Sequence, residues 1–295
     1  MSTLNVIALG DKNASVKVLQ TALKINADGD FGPATDRAVR AFQTSKGLTA
    51  DGVVGAKTWA ALGVTNTAPP QCPAPNSFTG KVSLVLTDQD YIEEARRLDK
   101  AGKPMPPLVL RTFSEVESSG KGFLDDGRCK IMFERHKFYK YIRDKNLRDL
   151  LASKEWDICK NEMRVNSRTK KPYHTAKDMY LGGAAEWKLF ERALAYDPWA
   201  AMMSVSYGAG QVMGFNYAVA GFKTVEDFYQ AMCYGGARGH LTAMVGFILG
   251  NPTIHNALFV KDWKTAALGY NGEEGVRLYK YDTQLADAWK RLGGK

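Results

Sequence analysis

The 295-residue sequence predicts a mainly α protein: a small three-helix domain, then a larger helical domain interrupted by a small β-hairpin. Three observations carry this expectation. A 23-residue repeat near the N-terminus couples short helical stretches to Asp-Gly turns, a proline-rich stretch follows it, and capped helical segments recur from about Gly80 onward. The same pattern divides the chain into residues 1–64, a connecting segment 65–79, and residues 80–295.

In the repeat, Ala27-Asp28-Gly29-Asp30-Phe31-Gly32 returns as Ala50-Asp51-Gly52-Val53-Val54-Gly55. The same offset aligns Leu19-Gln20-Thr21 with Phe42-Gln43-Thr44, and Thr35 with Thr58. Helical spacing is visible in Val16, Leu19 and Leu23, in Val39 and Phe42, and in Trp59 and Leu62. Pro33 suits a first helical position, and Gly47 and Gly63 suit helix stops. Asp28, Gly29, Asp51 and Gly52 are the residues that tight turns require. Helices this short bury little apolar area, and the module holds neither histidine nor cysteine, so its composition points away from catalysis.

The segment 65–77 carries four prolines and no charge, the composition of a semi-rigid linker. Beyond it, Thr87 opens a Thr-x-x-Asp capping box for a helix to Asp99, and Asp197-Pro198 is a helix start. Thr224, Gly239 and Asp262 open further helices, and Gln284 to Leu292 closes the chain. Between Gly122 and Glu134, an Asp125-Asp126-Gly127 turn followed by Lys-Ile-Met-Phe predicts the hairpin.

Composition narrows the function. Six Trp, 13 Phe and 13 Tyr supply a core and exclude disorder, and no apolar run approaches the roughly 20 residues of a membrane span. Met1 to Gly10 lacks the basic flank and apolar stretch of a secretory signal. Cys72, Cys129, Cys159 and Cys233 stand far apart with no C-x-x-C pair, so reduced thiols are expected. His136, His174, His240 and His255 have no metal-ligand spacing, so neither a metal nor another cofactor is expected. The net charge is +9, and it is spread: the first 66 residues hold 7 Lys/Arg against 5 Asp/Glu, the rest 33 against 26. A diffuse positive surface suits a polyanionic partner or simple solubility, and without a recognised DNA-binding motif nucleic acid is not the expected one.

Three segments carry candidate chemistry. A helix from Leu108 to Glu117 ends in Glu-Val-Glu-Ser-Ser-Gly, with Gly120 as its stop. If Leu108, Thr112 and Phe113 mark its inner face, Glu117 lies near that face and Glu115 turns away. An acid there, beside Phe113 and Phe123, would be desolvated and its pKa raised, as a general acid needs; the plain reading is a helix-end glutamate paired with a lysine. Ser206-Tyr207-Gly208-Ala209-Gly210-Gln211-Val212-Met213-Gly214 is a glycine-dense turn around an amide, able to meet sugar hydroxyls. Ala267-Leu268-Gly269-Tyr270-Asn271-Gly272 ends a helix with an aromatic plate beside a second amide.

The repeated D-G-x-x-G-x-x-T of Ser15 to Gly63 resembles the three-helix peptidoglycan-binding module found at the ends of cell-wall hydrolases. The order Glu117-Ser118, then Gly-x-x-Gln, then Tyr270-Asn271 is similar to the soluble lytic transglycosylase and goose-type lysozyme superfamily. Together with Phe133-Glu134-Arg135-His136, it resembles the N-acetylmuramidase domain of phage endolysins over most of residues 80–295. Ala209 departs from the leucine expected in that turn. The resemblance implies a lysozyme-like fold, Glu117 as acid, Ser118, Gln211, Tyr270 and Asn271 as substrate contacts, and peptidoglycan as partner of a monomer. It also implies storage in the host bacterial cytoplasm until a membrane pore opens; the positive charge, by itself, suits contact with an anionic outer envelope.

A second carboxylate is less determined. Glu134 follows Glu117 by 17 residues and is expected either to face the same cleft across the hairpin or to pair with Arg135 or another cation. Asp125 and Asp126 read as turn formers and His136 as structural, since glycoside cleavage needs no imidazole. The expected activity is hydrolysis of the β-1,4 bond between N-acetylmuramic acid and N-acetylglucosamine. The alternatives are a lytic transglycosylase, in which the muramic acid 6-hydroxyl replaces water, and a non-catalytic wall-binding protein. A peptidase or amidase lacks its metal or nucleophile constellation.

Overall fold

The computed structural model describes residues 6–64, 82–100, 102–118, 122–154, 158, 164–165, 172–173 and 181–295. They form two compact units that are not contiguous in sequence. One holds Met1–Cys72, Glu134–Met179 and Lys188–Ser204; the other holds Pro73–Phe133, Tyr180–Trp187 and Val205–Lys295.

The first unit begins with α1 (Ala14–Ala22), α2 (Pro33–Ser45) and α3 (Ala56–Ala61). Asn13 caps α1 by accepting from the Val16 N–H, and Pro33 occupies the first turn of α2 as expected. Ile7, Val16, Leu19, Phe31, Val39, Val54 and Trp59 make the small core. Phe42 is only half-buried, with Lys46 over its ring; the inward residue of that turn is Gln43.

The repeat owes its conservation of pattern to that glutamine. Gln20 Nε2 donates to Asp28 Oδ1, the Asp30 carbonyl and Thr35 Oγ1 at 2.8, 3.0 and 3.1 Å, while its Oε1 accepts from Gly29 N–H at 2.8 Å. Gln43 repeats the pattern with Asp51 Oδ1, the Val53 carbonyl, Thr58 Oγ1 and Gly52 N–H, at 3.0, 2.9, 3.3 and 3.0 Å. A buried amide is stable only when its donors and acceptor are matched, and here each helix fastens its own turn. Gly29 and Gly52 sit at φ 82° and 74°, which only glycine adopts without strain.

The rest of this unit contains α6 (Arg135–Tyr141), α7 (Lys145–Lys154), an antiparallel pair β2 (Arg164–Val165) and β3 (Pro172–Tyr173), the C-terminal part of α8 (Ala184–Tyr196), and α9 (Pro198–Met203). Asp197 starts α9 as expected, accepting from Ala200 N–H at 2.9 Å. Its burial pushes the carboxyl up to about 6.

The second unit opens with α4 (Asp88–Arg96), where Thr87 and Asp90 complete the expected capping box. It continues through α5 (Pro107–Ser118), β1 (Ile131–Phe133), β4 (Val205–Tyr207), β5 (Val212–Met213) and a short 3-10 turn at Gly214–Asn216. The helices α10 (Val225–Tyr234), α11 (Gly236–Leu249), α12 (Pro252–Val260), α13 (Trp263–Tyr279) and α14 (Tyr281–Arg291) complete it. Thr224 and Asp262 cap α10 and α13 as read from the sequence. Leu98, Leu110, Phe113, Leu241, Val245, Ile248, Ile254 and Leu285 are fully buried or nearly so in one core.

Three expectations need correcting. Gly239 does not start a helix: α11 begins at Gly236, and a Cβ on Gly239 would lie 2.2 Å from the Ala231 carbonyl, so this glycine permits the close crossing of α10. The last helix begins at Tyr281 rather than Gln284, because Lys280, at φ 53°, both ends α13 and starts α14. The hairpin is smaller than expected. Asp125, Asp126 and Gly127 do make its turn, with one bridge from Phe123 to Cys129, but Ile131–Phe133 leaves it for β4. The resulting sheet has the order β1-β4-β5, all antiparallel.

Candidate active site

Helix α5 delivers Glu117 at its last turn. Val109, Leu110, Thr112 and Phe113 face the core, whereas Glu115 points away and pairs with Arg291 Nη2 at 2.5 Å, the division expected from helical spacing. Burial pushes the Glu117 carboxyl up to about 7, against the opposing effect of its hydrogen bond from Asn271. Asn271 Nδ2 donates to both carboxylate oxygens, at 2.9 and 3.0 Å. No lysine pairing is needed to explain this glutamate.

Asn271 reaches that position because α13 breaks there. Gly272 has φ 71° and ψ 173°, so the first half of the helix ends at the Tyr-Asn pair. Tyr270 stands edge-on to Phe113 and Phe247, with ring centroids 5.1 and 5.4 Å away. Its hydroxyl donates to the Gly210 carbonyl at 2.8 Å. Burial first, then the neighbouring Glu117 charge, raises its phenol well above the ordinary tyrosine range.

The glycine-dense segment is the β4–β5 hairpin. A Cβ on Gly210 would lie 2.6 Å from the Tyr270 hydroxyl, and one on Gly208 would lie 2.7 Å from His240 Nδ1. These glycines therefore admit the protein's own side chains to the turn. Gln211 adopts a left-handed φ of 46°. Its Oε1 accepts from Ser206 Oγ at 2.9 Å and its Nε2 donates to the Gly208 carbonyl at 2.8 Å, so the amide ties the hairpin and keeps half of its hydrogen-bonding capacity.

The structure thus gathers Glu117, Tyr270, Asn271 and the Gly210 end of the Gln211 turn in one unit. Glu134 belongs to the other unit, one residue before α6, with its Oε2 3.4 Å from His136 Nδ1. Ser118 ends α5, and its side chain lies outside the described residues, as do Ser119, Gly120, Cys72 and Cys159. Asp126 pairs with Arg128 at 2.7 Å, which lies over the Trp187 ring. Cys129 and Cys233 are buried thiols outside any disulfide among the described residues. Among the described residues, no group of three or more His, Cys, Asp or Glu is placed to hold a metal ion.

Sequence reasoning missed His240. Its Nδ1 accepts from Ala209 N–H at 3.3 Å, its Nε2 meets the Met232 carbonyl at 2.8 Å, and Phe123 stacks on its ring at 4.4 Å. It supports the hairpin turn from α11, and no local motif announces a contact across 31 residues. A cavity of about 280 Å³ lies nearby, lined by Ser114, Phe123, Ala209 and His240 among others. Glu117 does not line it.

Residues 106–293 match the family model for N-acetylmuramidase, and residues 12–62 match the model for a putative peptidoglycan binding domain. An uncharacterized protein in the bpoA1 3′ region of Kitasatospora aureofaciens is 42% identical over 64 residues, covering 19% of this chain and 54% of that protein. The chain therefore spans about half the length of that curated relative. Among solved structures, the crystal structure of Burkholderia AP3 phage endolysin is similar at a TM-score of 0.55 and 33% identity, covering 98% of each chain.

Proposed function

The chain belongs to the N-acetylmuramidase family, and from that premise we propose that it is a modular phage endolysin. In this reading Glu117 protonates the β-1,4 bond between N-acetylmuramic acid and N-acetylglucosamine in bacterial peptidoglycan. The observation that carries the proposal is the desolvated Glu117 carboxyl with a pKa of about 7, held by the Asn271 amide. A carboxyl poised there is protonated in about half of the molecules at neutral pH, which is the condition for a general acid.

The proton passes from Glu117 to the glycosidic oxygen, and the bond to the anomeric carbon breaks through an oxocarbenium-like transition state. The carboxylate left on Glu117 then faces the Asn271 N–H donors, which favour its charged form. Water adds to the anomeric carbon and gives up one proton to a carboxylate base, the role proposed for Glu134 as second carboxylate. Tyr270, Gln211 and Ser118 are the proposed substrate contacts beside Asn271, with the free half of the Gln211 amide available to sugar hydroxyls.

Digestion of purified peptidoglycan by the wild type and Glu117→Gln, read by mass spectrometry, tests the proposal. Reducing N-acetylmuramic acid ends, lost in the variant, are expected. Anhydro-muramic ends identify a transglycosylase instead, and no glycan cleavage by either protein leaves a wall-binding protein. The division into 1–64, 65–79 and 80–295, a monomeric state, storage in the host cytoplasm before passage through a membrane pore, and contact of the basic surface with an anionic envelope belong to the same proposal. Limited proteolysis, light scattering and cell fractionation test the first three, and binding to anionic outer-membrane lipid the last.

A further inference from the structure

We propose that the second repeat of the N-terminal module, together with Asp144, forms a pocket for the zwitterionic peptide part of peptidoglycan rather than for its glycan. This rests on the wall-binding reading above. A cavity of about 130 Å³ opens at the second Asp-Gly turn, bordered by Gly47, Leu48, Thr49, Asp51, Lys57 and Asp144. All of these residues belong to one compact unit, although Asp144 lies in the N-acetylmuramidase match and the others in the peptidoglycan-binding match.

Comparison of the two repeats isolates what makes the pocket. Lys24 and Gly47 are equivalent: their N–H groups donate to the Thr21 and Thr44 carbonyls, and both have positive φ, 57° and 66°. The next residues, Ile25 and Leu48, donate to the Gln20 and Gln43 carbonyls. The backbone and the buried glutamine are therefore duplicated, while the rim is not. Gly47 removes a long side chain that the first repeat keeps, and Lys57 puts a cation where the first repeat has Ala34.

Asp144 is held in place from several directions. Its Oδ1 caps α7 by accepting from Leu147 N–H at 3.1 Å, and its Oδ2 lies 3.6 Å from where a Cβ on Gly55 would sit. The adjacent Arg143 pairs with Asp11 and lies 4.1 Å over the Trp199 ring. The lining thus carries the carboxylates of Asp51 and Asp144 to meet an ammonium, the Lys57 ammonium to meet a carboxylate, the Thr49 hydroxyl and the apolar Leu48. The cavity, about 130 Å³ and open on one side, is of a size to receive the side of a single amino-acid residue. N-acetylated sugars carry no ammonium, whereas the peptide of peptidoglycan carries ammonium and carboxylate together.

The test uses the full chain in a Glu117→Gln background, so that the wall is not consumed, sedimented with purified sacculi and with glycan strands stripped of peptide. The parent is expected to prefer intact sacculi. Gly47→Lys, Asp144→Asn and Lys57→Ala are each expected to weaken that binding about tenfold and to erase the preference. Gly47→Lys copies the residue that the first repeat accommodates in the same backbone position, and asparagine preserves the cap of α7. Parent binding to both substrates alike, or pocket variants binding sacculi as tightly as the parent, overturns the pocket alone. A parent that binds neither substrate overturns the wall-binding reading and the pocket with it.

Discussion

The buried glutamines of the repeat and the buried glutamate of the candidate active site sit in environments of opposite kind. Gln20 and Gln43 each make four hydrogen bonds with partners no more than 15 residues away, so burial leaves nothing unmatched. Glu117 has one amide facing its carboxylate, contributed from 154 residues away, and burial outweighs it. Matched polar burial specifies a fold; incompletely compensated burial of an acid holds a proton ready at neutral pH. The first stabilises, and the second is stable only because the surrounding core carries it.

The largest expected effect breaks the matched side. Gln43→Ala removes all four hydrogen bonds and strands the Gly52 N–H, while the Val53 carbonyl keeps only the Thr58 hydroxyl, at a cost of about 4 kcal/mol. Urea unfolding checks this, and Gln20→Ala is expected to match it, since the two networks are duplicates; a twofold difference between them would deny the equivalence of the repeats.

Next comes the cost of the unmatched acid. The folded Glu117 pKa of about 7 lies above the ordinary glutamate value of 4.5, so its stabilising contribution is complete below about 4.5 and is lost as pH rises through 7. By pH 8 the wild type is expected to have lost about 3 kcal/mol relative to Glu117→Gln, which carries no charge to bury. Thermal or urea unfolding of both proteins at pH 4 and pH 8 measures the crossover, and parallel curves would contradict it.

The smallest effect sharpens the balance at the site. Asn271→Ala removes the donors that favour the charged carboxylate, so the Glu117 pKa moves higher. The alkaline limb of the kcat/KM profile is then expected to shift upward while the maximum rate falls, because the carboxylate formed on proton transfer loses its partner. A lower rate with an unmoved limb would mean that Asn271 serves substrate alone.

Much of the fold was legible from local signals. Thr87, Asp197, Thr224 and Asp262 announced four helix starts because a cap closes its hydrogen bond within three residues. The repeat announced its turns for the same reason, although Phe42 drew attention away from Gln43, the residue actually buried. Glu117 and the Tyr270-Asn271 pair were legible as separate candidates, and the face that turns Glu115 outward followed from helical spacing.

What the sequence by itself determined is the helices that open on a capping residue, the duplicated turns and the residue types of the candidate general-acid site; the helices Arg135–Tyr141, Lys145–Lys154, Ala184–Tyr196 and Pro252–Val260 it did not announce. The tertiary structure decided their meeting. It paired β1 with β4 across more than 70 residues, brought Asn271 to Glu117, set Gly210 against Tyr270, and placed Glu134 in a different compact unit from Glu117. Capping and turn bonds are made between neighbours in the chain and leave a mark at fixed spacing. Desolvation and long-range hydrogen bonds are made by whatever the folded core brings together, and leave no such mark.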